Sequence, residues 1–462
     1  MRAISHWMIF ELRYNRAHIS NSGVVESRWA PRSSKSVAGR VAGRGGFDSH
    51  PFPPILMNSL NETESPTHEV LFIRLVERVL RIDDTTWGSS KQGYLARFRG
   101  QLLIDSVDAF EQLAQALKPK NITPIFRDED DKHVIYLMDG VANAKKSNPW
   151  VNLGLFLLTV VSVLIAGTLY GYEGPVSDDP LILMKHIFSN LLSGVPFAAS
   201  MLGILLAHEF GHYLAARYHK TNVTLPYFIP FPLSLFGTMG AFIQLKEPPR
   251  NKRILLDIGI AGPLAGLVVA VPILMYGLFT SEVHPLPAQF PEGMLLEGNS
   301  LLYLLAKFAA TGLWLPEPAS FGALHPIIYW IRYFFTGYPS PLGGTDILLN
   351  DYAWAGWAGL LVTALNLIPA GQLDGGHLIY VLFGKRATRL LPYILGTLLL
   401  LGLIWQGWWL WAVLIFILGR VHAEPLDQIT PLDPRRKSLA VLGLIIFVLV
   451  FAPIPLMTGF GG

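Results

Sequence analysis

Two regimes of hydrophobic patterning divide the chain. In the first, residues 69–81 are apolar on one side, as in a helix, and residues 93–103 alternate around Arg97 and Arg99, as in a strand. Ser106 is placed to cap a helix with Val107, Phe110, Leu113, Ala114 and Leu117 on one face. Residues 122–126 and 133–138 flank the acidic turn 128–131 and read as a hairpin. These signals predict a small soluble α+β domain over residues 69–140 in the order β-α-β-β, with no cluster of catalytic side chains. In the second regime, from residue 150, long apolar runs replace alternation. Seven candidate spans follow, at 150–172, 191–217, 254–280, 353–383, 390–405, 407–419 and 439–457. The fifth and sixth fall short of the roughly 20 residues that cross a bilayer and need thinning or neighbouring helices to span it; they can equally form one bent pair around Trp405, Gln406 and Gly407.

Charge placement supports this reading. Lys145 and Lys146 precede the first span, and Glu173, Asp178 and Asp179 follow it. Arg217, Lys220, Lys246, Arg250, Lys252 and Arg253 lie between the second and third, and Glu282, Glu292 and Glu297 come after the third. Lys385, Arg386 and Arg389 precede the fifth, and Arg420, Arg435, Arg436 and Lys437 the seventh. Basic clusters thus recur at alternate connections, which puts the N-terminal domain in the cytoplasm (or stroma) and the C-terminus outside. Two segments fit no simple span. Residues 223–245 are apolar but carry Pro226, Pro230, Pro232, Gly237 and Gly240; a re-entrant segment against the membrane domain accommodates them. Residues 281–350 form a long external loop whose apolar stretches, 301–315 and 327–335, either lie in the interface or add a membrane hairpin.

Composition agrees. Of 462 residues, 51% are hydrophobic and 15% charged, against about 25% charged in soluble proteins, and the mean hydropathy is +0.40. The net charge of +3 is too small and scattered for a nucleic-acid partner. With no cysteine, thiolate zinc sites, disulfides and cysteine nucleophiles are excluded. Residues 1–56, rich in Arg and Ser, read as a disordered extension or a start upstream of the natural one at Met57. The expected fold is therefore an α-helical multi-pass membrane protein with a small N-terminal α+β domain and the lipid bilayer as its solvent.

The sharpest chemical signal is His208-Glu209-Phe210-Gly211-His212, near the cytoplasmic end of the second span. Residues four apart share a helix face, so both imidazoles can meet one zinc ion while Glu209 reaches a water beside it. The pattern arises by chance in roughly one chain of this length in a hundred. Its place inside an apolar span argues further for function, because ionisable groups there cost about 2.5–3.5 kcal/mol each. A third ligand is needed. Asp374 lies at the same depth, near the cytoplasmic end of the fourth span, where Pro369, Gly371, Gly375 and Gly376 loosen the helix. His219, His325 and His377 read as isolated polar contacts, and the tryptophans Trp405, Trp408 and Trp409 as interfacial anchors.

Together, the 208–212 motif and Asn366, followed by Leu373-Asp374-Gly375-Gly376, resemble the site-2 protease family of intramembrane metalloproteases. The resemblance covers roughly residues 150–457. It implies Zn2+ held by His208, His212 and Asp374, with Glu209 as catalytic base. It also implies Asn366 as a group that contacts substrate or holds the reacting carbonyl. Residues 259–266, with Gly259, Gly262 and Gly266, resemble the family's glycine-rich third-span segment, which puts Gly262 beside substrate; ordinary small-residue packing explains the same pattern. The external loop shows no PDZ pattern, so the chain is similar to the PDZ-lacking bacterial and plastid members. The implied function is regulated intramembrane proteolysis of transmembrane or membrane-anchored proteins, in a plasma membrane if bacterial or a plastid membrane if plant. The competing reading is a non-proteolytic metal-binding membrane protein or transporter.

Overall fold

The computed structural model describes residues 68–88, 93–141, 147–170, 180–289, 295–314, 316–419 and 424–458. The extension 1–56, Lys145, Lys146, Glu173, Asp178, Asp179, Glu292 and Arg420 lie outside the described residues. The chain divides into two compact units, residues 1–141 and 142–462.

In the first unit, helix α1 (His68–Glu77) leads into strand β1 (Leu80–Trp87) and β2 (Ala96–Leu102). Helix α2 (Ser106–Leu117) and the hairpin β3 (Ile122–Glu129) and β4 (Lys132–Asp139) follow. The sheet is antiparallel in the order β1-β2-β4-β3. The order is thus α-β-β-α-β-β, one strand richer than the pattern predicts. β1 hides because it reads Leu-Arg-Ile-Asp-Asp-Thr-Thr-Trp. Its polar residues suit a sheet edge and break the apolar alternation by which strands are recognised. Asp105, and not Ser106, caps α2, accepting from the Val107 N–H; Ser106 is the buried first residue of the helix. The hairpin turns at Asp130 and Asp131, both with left-handed φ of 50° and 58°, the conformation that matches the twist of the flanking strands.

The second unit is mainly helical. Its elements are α3 (Pro149–Tyr170), α4 (Pro180–Ser189), α5 (Val195–Tyr218), the hairpin β5 (Tyr227–Pro230) and β6 (Thr238–Phe242), and α6 (Lys252–Thr280). Then come β7 (Glu282–Pro285), β8 (Leu295–Glu297), α7 (Leu301–Thr311), α8 (Pro326–Thr336), β9 (Thr345–Leu348), α9 (Asp351–Asn366), α10 (Asp374–Phe383), α11 (Leu391–Leu401), α12 (Gly407–Leu418), α13 (Pro434–Val450) and β10 (Leu456–Thr458). Among the described residues, three helical segments are long and apolar enough to cross a membrane: Pro149–Tyr170, Leu191–Tyr218 and Lys252–Thr280. Residues 353–383, expected as one span, instead form two helices, α9 and α10. The helix stops because Pro369 lacks an N–H to continue the ladder and Gly371 turns left-handed at φ 56°. The short fifth and sixth runs form a packed helical pair, α11 and α12.

The core lies where α5, α6 and α9 meet. Phe197, Met201, Leu205, Leu274, Ala355, Ala358 and Leu360 interlock there. Gly277 lies against the backbone of Ala353, so a side chain at that position would be excluded and α6 and α9 approach closely. Residues 223–245 form the β5–β6 hairpin, moored to α3: the Asn152 amide donates to the carbonyls of Leu225 and Pro226, both at 2.9 Å, and the Ser162 hydroxyl donates to the Gly237 carbonyl at 2.5 Å. The stretches at 301–315 and 327–335 contain the short helices α7 and α8. β8 pairs with β10, bringing the end of the chain back to residues 295–297.

Candidate metal centre and active site

Helix α5 carries three polar groups on an apolar body. His208, Glu209 and His212 are 3%, 4% and 7% exposed. Burial of such groups is costly unless they find partners, and here they turn toward one point. The two Nε2 atoms are 3.2 Å apart. Asp374 Oδ2 lies 3.4 Å from the Nε2 of His208 and 3.3 Å from that of His212. Among the described residues this is the one cluster of His, Asp and Glu ligand atoms able to hold a metal ion.

Local sequence explains each placement. His212 Nδ1 lies 2.7 Å from the Ile258 carbonyl oxygen on α6; Nδ1–H must donate there, which leaves the Nε2 lone pair facing the cluster. The ring fits because α6 offers Gly262 at that point. A methyl group on Gly262 would overlap the imidazole edge at Nε2, Cδ2 and Cε1. One turn on, Gly266 would place a methyl 3.3 Å from His208 Cβ. Asp374 opens α10 after the break that follows α9. Gly375 and Gly376 pack against the carbonyls of Leu367, Ala370 and Gly371, leaving no room for side chains. The Asn366 amide donates to His208 Nε2 at 3.2 Å, the lone pair that a metal ion would take.

Two buried imidazole nitrogens and one partly buried carboxylate oxygen, mutually close, fit zinc, and three protein ligands leave one position for water. Glu209 provides a further sign of fit. Its Oε2 is buried without a hydrogen-bond partner, an orphaned acceptor beside the cluster. The backbone of Ile243, just past β6, hydrogen-bonds the same carboxylate.

All of these residues fall inside one matched segment: residues 196–402 match peptidase family M50. The chain is 34% identical over 279 residues to the probable zinc metalloprotease EGY1, chloroplastic, of Arabidopsis thaliana, covering 59% of this chain and 45% of that protein. It is 30% identical over 322 residues to the protein of the same description from Oryza sativa subsp. japonica, covering 66% and 50%. It is 27% identical over 390 residues to the probable zinc metalloprotease EGY2, chloroplastic, of Oryza sativa subsp. indica, covering 80% and 64%. The chain thus spans about half the length of the first two curated relatives it matches.

Sequence reasoning places His208, Glu209, His212, Asp374 and Asn366 in one region, and the structure brings them together. Gly262 sits against the His212 ring. The Ile258 carbonyl and the Ile243 backbone were missed, because a backbone contact leaves no mark in side-chain identity. His219, expected as an isolated contact, pairs with Asp257 at 3.0 Å. His325 caps α8.

Proposed function

We propose that the chain is an intramembrane zinc endopeptidase that hydrolyses peptide bonds of transmembrane or membrane-anchored proteins, with His208, His212 and Asp374 as zinc ligands and Glu209 as general base. The observation that carries this reading is the convergence of three ligand atoms on one buried point beside the unpartnered Oε2 of Glu209. Bound zinc supplies a Lewis acid that acidifies water and polarises a carbonyl. Glu209 Oε2 takes the proton from the attacking water and returns it to the departing amine nitrogen. Ile258 keeps His212 in the tautomer that binds metal. Asn366 stands beside His208 and can turn its amide N–H to the reacting carbonyl oxygen. A substrate helix must unwind to be cut, and the short β5–β6 hairpin, whose end touches Glu209, offers a strand edge to the extended segment. A carboxylate held ready for proton transfer has no evident task in a metal transporter.

We extend this to a seven-crossing topology with the N-terminal unit and the zinc site on the cytoplasmic or stromal side, a reading that the basic connections support. The chloroplastic relatives favour a plastid membrane. Among the described residues, 69–140 hold no ligand cluster; they act on substrate choice, with residues 1–56 dispensable. The test is Glu209→Gln in the purified protein with a transmembrane substrate. The amide is close in shape and cannot accept the proton, so zinc stays and turnover falls at least about 10²–10⁴-fold. Near-normal cleavage by the variant rejects the assignment.

A further inference from the structure

Next in sequence to Ile258, one carboxylate of α6 gathers donors from two other helices. Asp257, on the second turn of α6, accepts from Arg436 Nε at 2.9 and 3.1 Å and from Arg436 Nη2 at 2.6 Å. His219, at the end of α5, lies 3.0 Å from the same Oδ2. Arg436 is itself held by Asp433, the N-cap of α13, at 2.7 Å. The segment before α13 is strapped to the start of α6. The Leu426 and Asp427 N–H groups donate to the Pro249 and Arg250 carbonyls at 3.0 and 2.7 Å, and Arg253 Nε donates to the Pro431 carbonyl at 2.9 Å.

The residue after Asp257 is Ile258, whose carbonyl fixes His212. We propose that Asp257 is a positioning residue for His212, and that Arg436 and His219 hold it in that role. Three features carry this. First, α6 is loosened at this turn: Pro263 has no N–H to give to the Gly259 carbonyl four residues back. An outside hold therefore fixes where the neighbouring Ile258 carbonyl points. Secondly, one arm of the hold, His219, comes from the end of the helix that bears His208 and His212, so it ties α6 to α5 on the side of the site. Thirdly, the Asp257–Arg436 pair is partly exposed, with side chains 19% and 32% accessible. Such a pair adds little to stability, whereas its forked geometry defines direction well.

The proposal rests on His212 being a zinc ligand. Its test uses the full-length, zinc-loaded protein and reads zinc retention against a graded chelator alongside cleavage kinetics. Asp257→Asn is expected to bind zinc about 10–100-fold more weakly, the usual effect of losing an outer partner of a metal-bound imidazole. Once zinc is resupplied, its kcat falls while KM holds. Arg436→Lys keeps the charge without the fork and falls between, and Asp257→Glu recovers part of the loss. Should Asp257→Asn not accumulate folded, Arg436→Gln carries the same expectation. Zinc retention and kcat equal to wild type in a folded variant overturn the proposal, as does a lowered melting temperature with zinc affinity unchanged. A wild-type protein that binds no zinc instead overturns the zinc assignment above; wild-type cleavage with indifferent Asp257 and Arg436 variants overturns only the positioning role.

Discussion

Gly262→Ala is the most economical probe of how the metal centre is built. The added methyl would overlap His212 at the ring edge that faces the ligand cluster. Ordinary carbon contacts lie at about 3.5–4.0 Å, so the ring or the helix must retreat by more than about 1 Å. Neither route is free: the ring is held through Nδ1 by Ile258 on the same helix, 2.7 Å away, and α6 is packed between α5 and α9. Overpacking of this kind costs about 1–3 kcal/mol, which a domain of this size survives. The catalytic effect is larger, since a misplacement of about 1 Å costs around 10²-fold. The assay is zinc per chain by elemental analysis, helix content by circular dichroism, and cleavage of a transmembrane substrate. The variant should keep its helix content, lose most of its zinc and lose at least about 10²-fold in turnover. Two controls sharpen the result. Gly266→Ala meets His208 Cβ at 3.3 Å and needs only a small yielding, and Gly203→Ala meets nothing within 4 Å. Zinc content and turnover in Gly262→Ala equal to those of Gly203→Ala would refute the claim that this glycine exists to admit the His212 ring.

Purified wild type should carry about one zinc per chain, and His212→Ala combined with Asp374→Ala should remove it; full occupancy in the double variant rejects the ligand set. A pH effect is expected outside the spanning helices. Lys307, wholly buried, pairs with Asp346 at 2.8 Å and Glu297 at 2.9 Å, so one cation meets two carboxylates. Burial pushes Asp346 up to about 6 against the pull of Lys307. The folded chain then binds more protons than the unfolded one between about pH 4 and 6. This contribution to stability is full below the ordinary carboxylate range and lost as pH rises through about 6. The melting temperature should therefore rise on going from pH 7 to 5 by more in wild type than in Asp346→Asn, and equal rises would contradict the reasoning.

Legibility in the sequence followed the physics of each feature. His208, Glu209 and His212 could be read because helical spacing alone puts two imidazoles on one face, and because polar groups stand out in an apolar run. Asp374 could be found by depth, through the alternation of basic connections. β1 could not, since an edge strand needs no apolar alternation. Nor could the Asp257–Arg436 link, which joins residues 179 apart. Arg436 belongs to a basic cluster whose presence is already explained by topology, so nothing in the sequence distinguishes it from Arg435. The Lys307 cluster was hidden for the opposite reason: Glu297 and Asp346 each look like ordinary surface acids of an external loop, and only the fold buries them around one ammonium group.

The break between α9 and α10 is the feature whose misreading teaches most. Read as a single helix, residues 353–383 would set Asn366 and Asp374 about 12 Å apart along the axis, eight residues at about 1.5 Å each. No such helix lets both side chains touch one imidazole. Yet Asn366 Nδ2 lies 3.2 Å and Asp374 Oδ2 3.4 Å from the same Nε2 of His208. The chain achieves this by ending α9 at Asn366, turning through Pro369 and Gly371, and starting α10 at Asp374. The turn is affordable in an apolar interior because its backbone groups find partners: the Ala370 N–H donates to Ile368 at 2.7 Å and the His377 N–H to Leu373 at 3.1 Å. It also gives the carboxylate a helix N-terminus, where an anion is favoured. The glycines and proline that make residues 366–376 a poor helix are thus what let a carboxylate and an amide meet one histidine, and a straight apolar span could not have built this site.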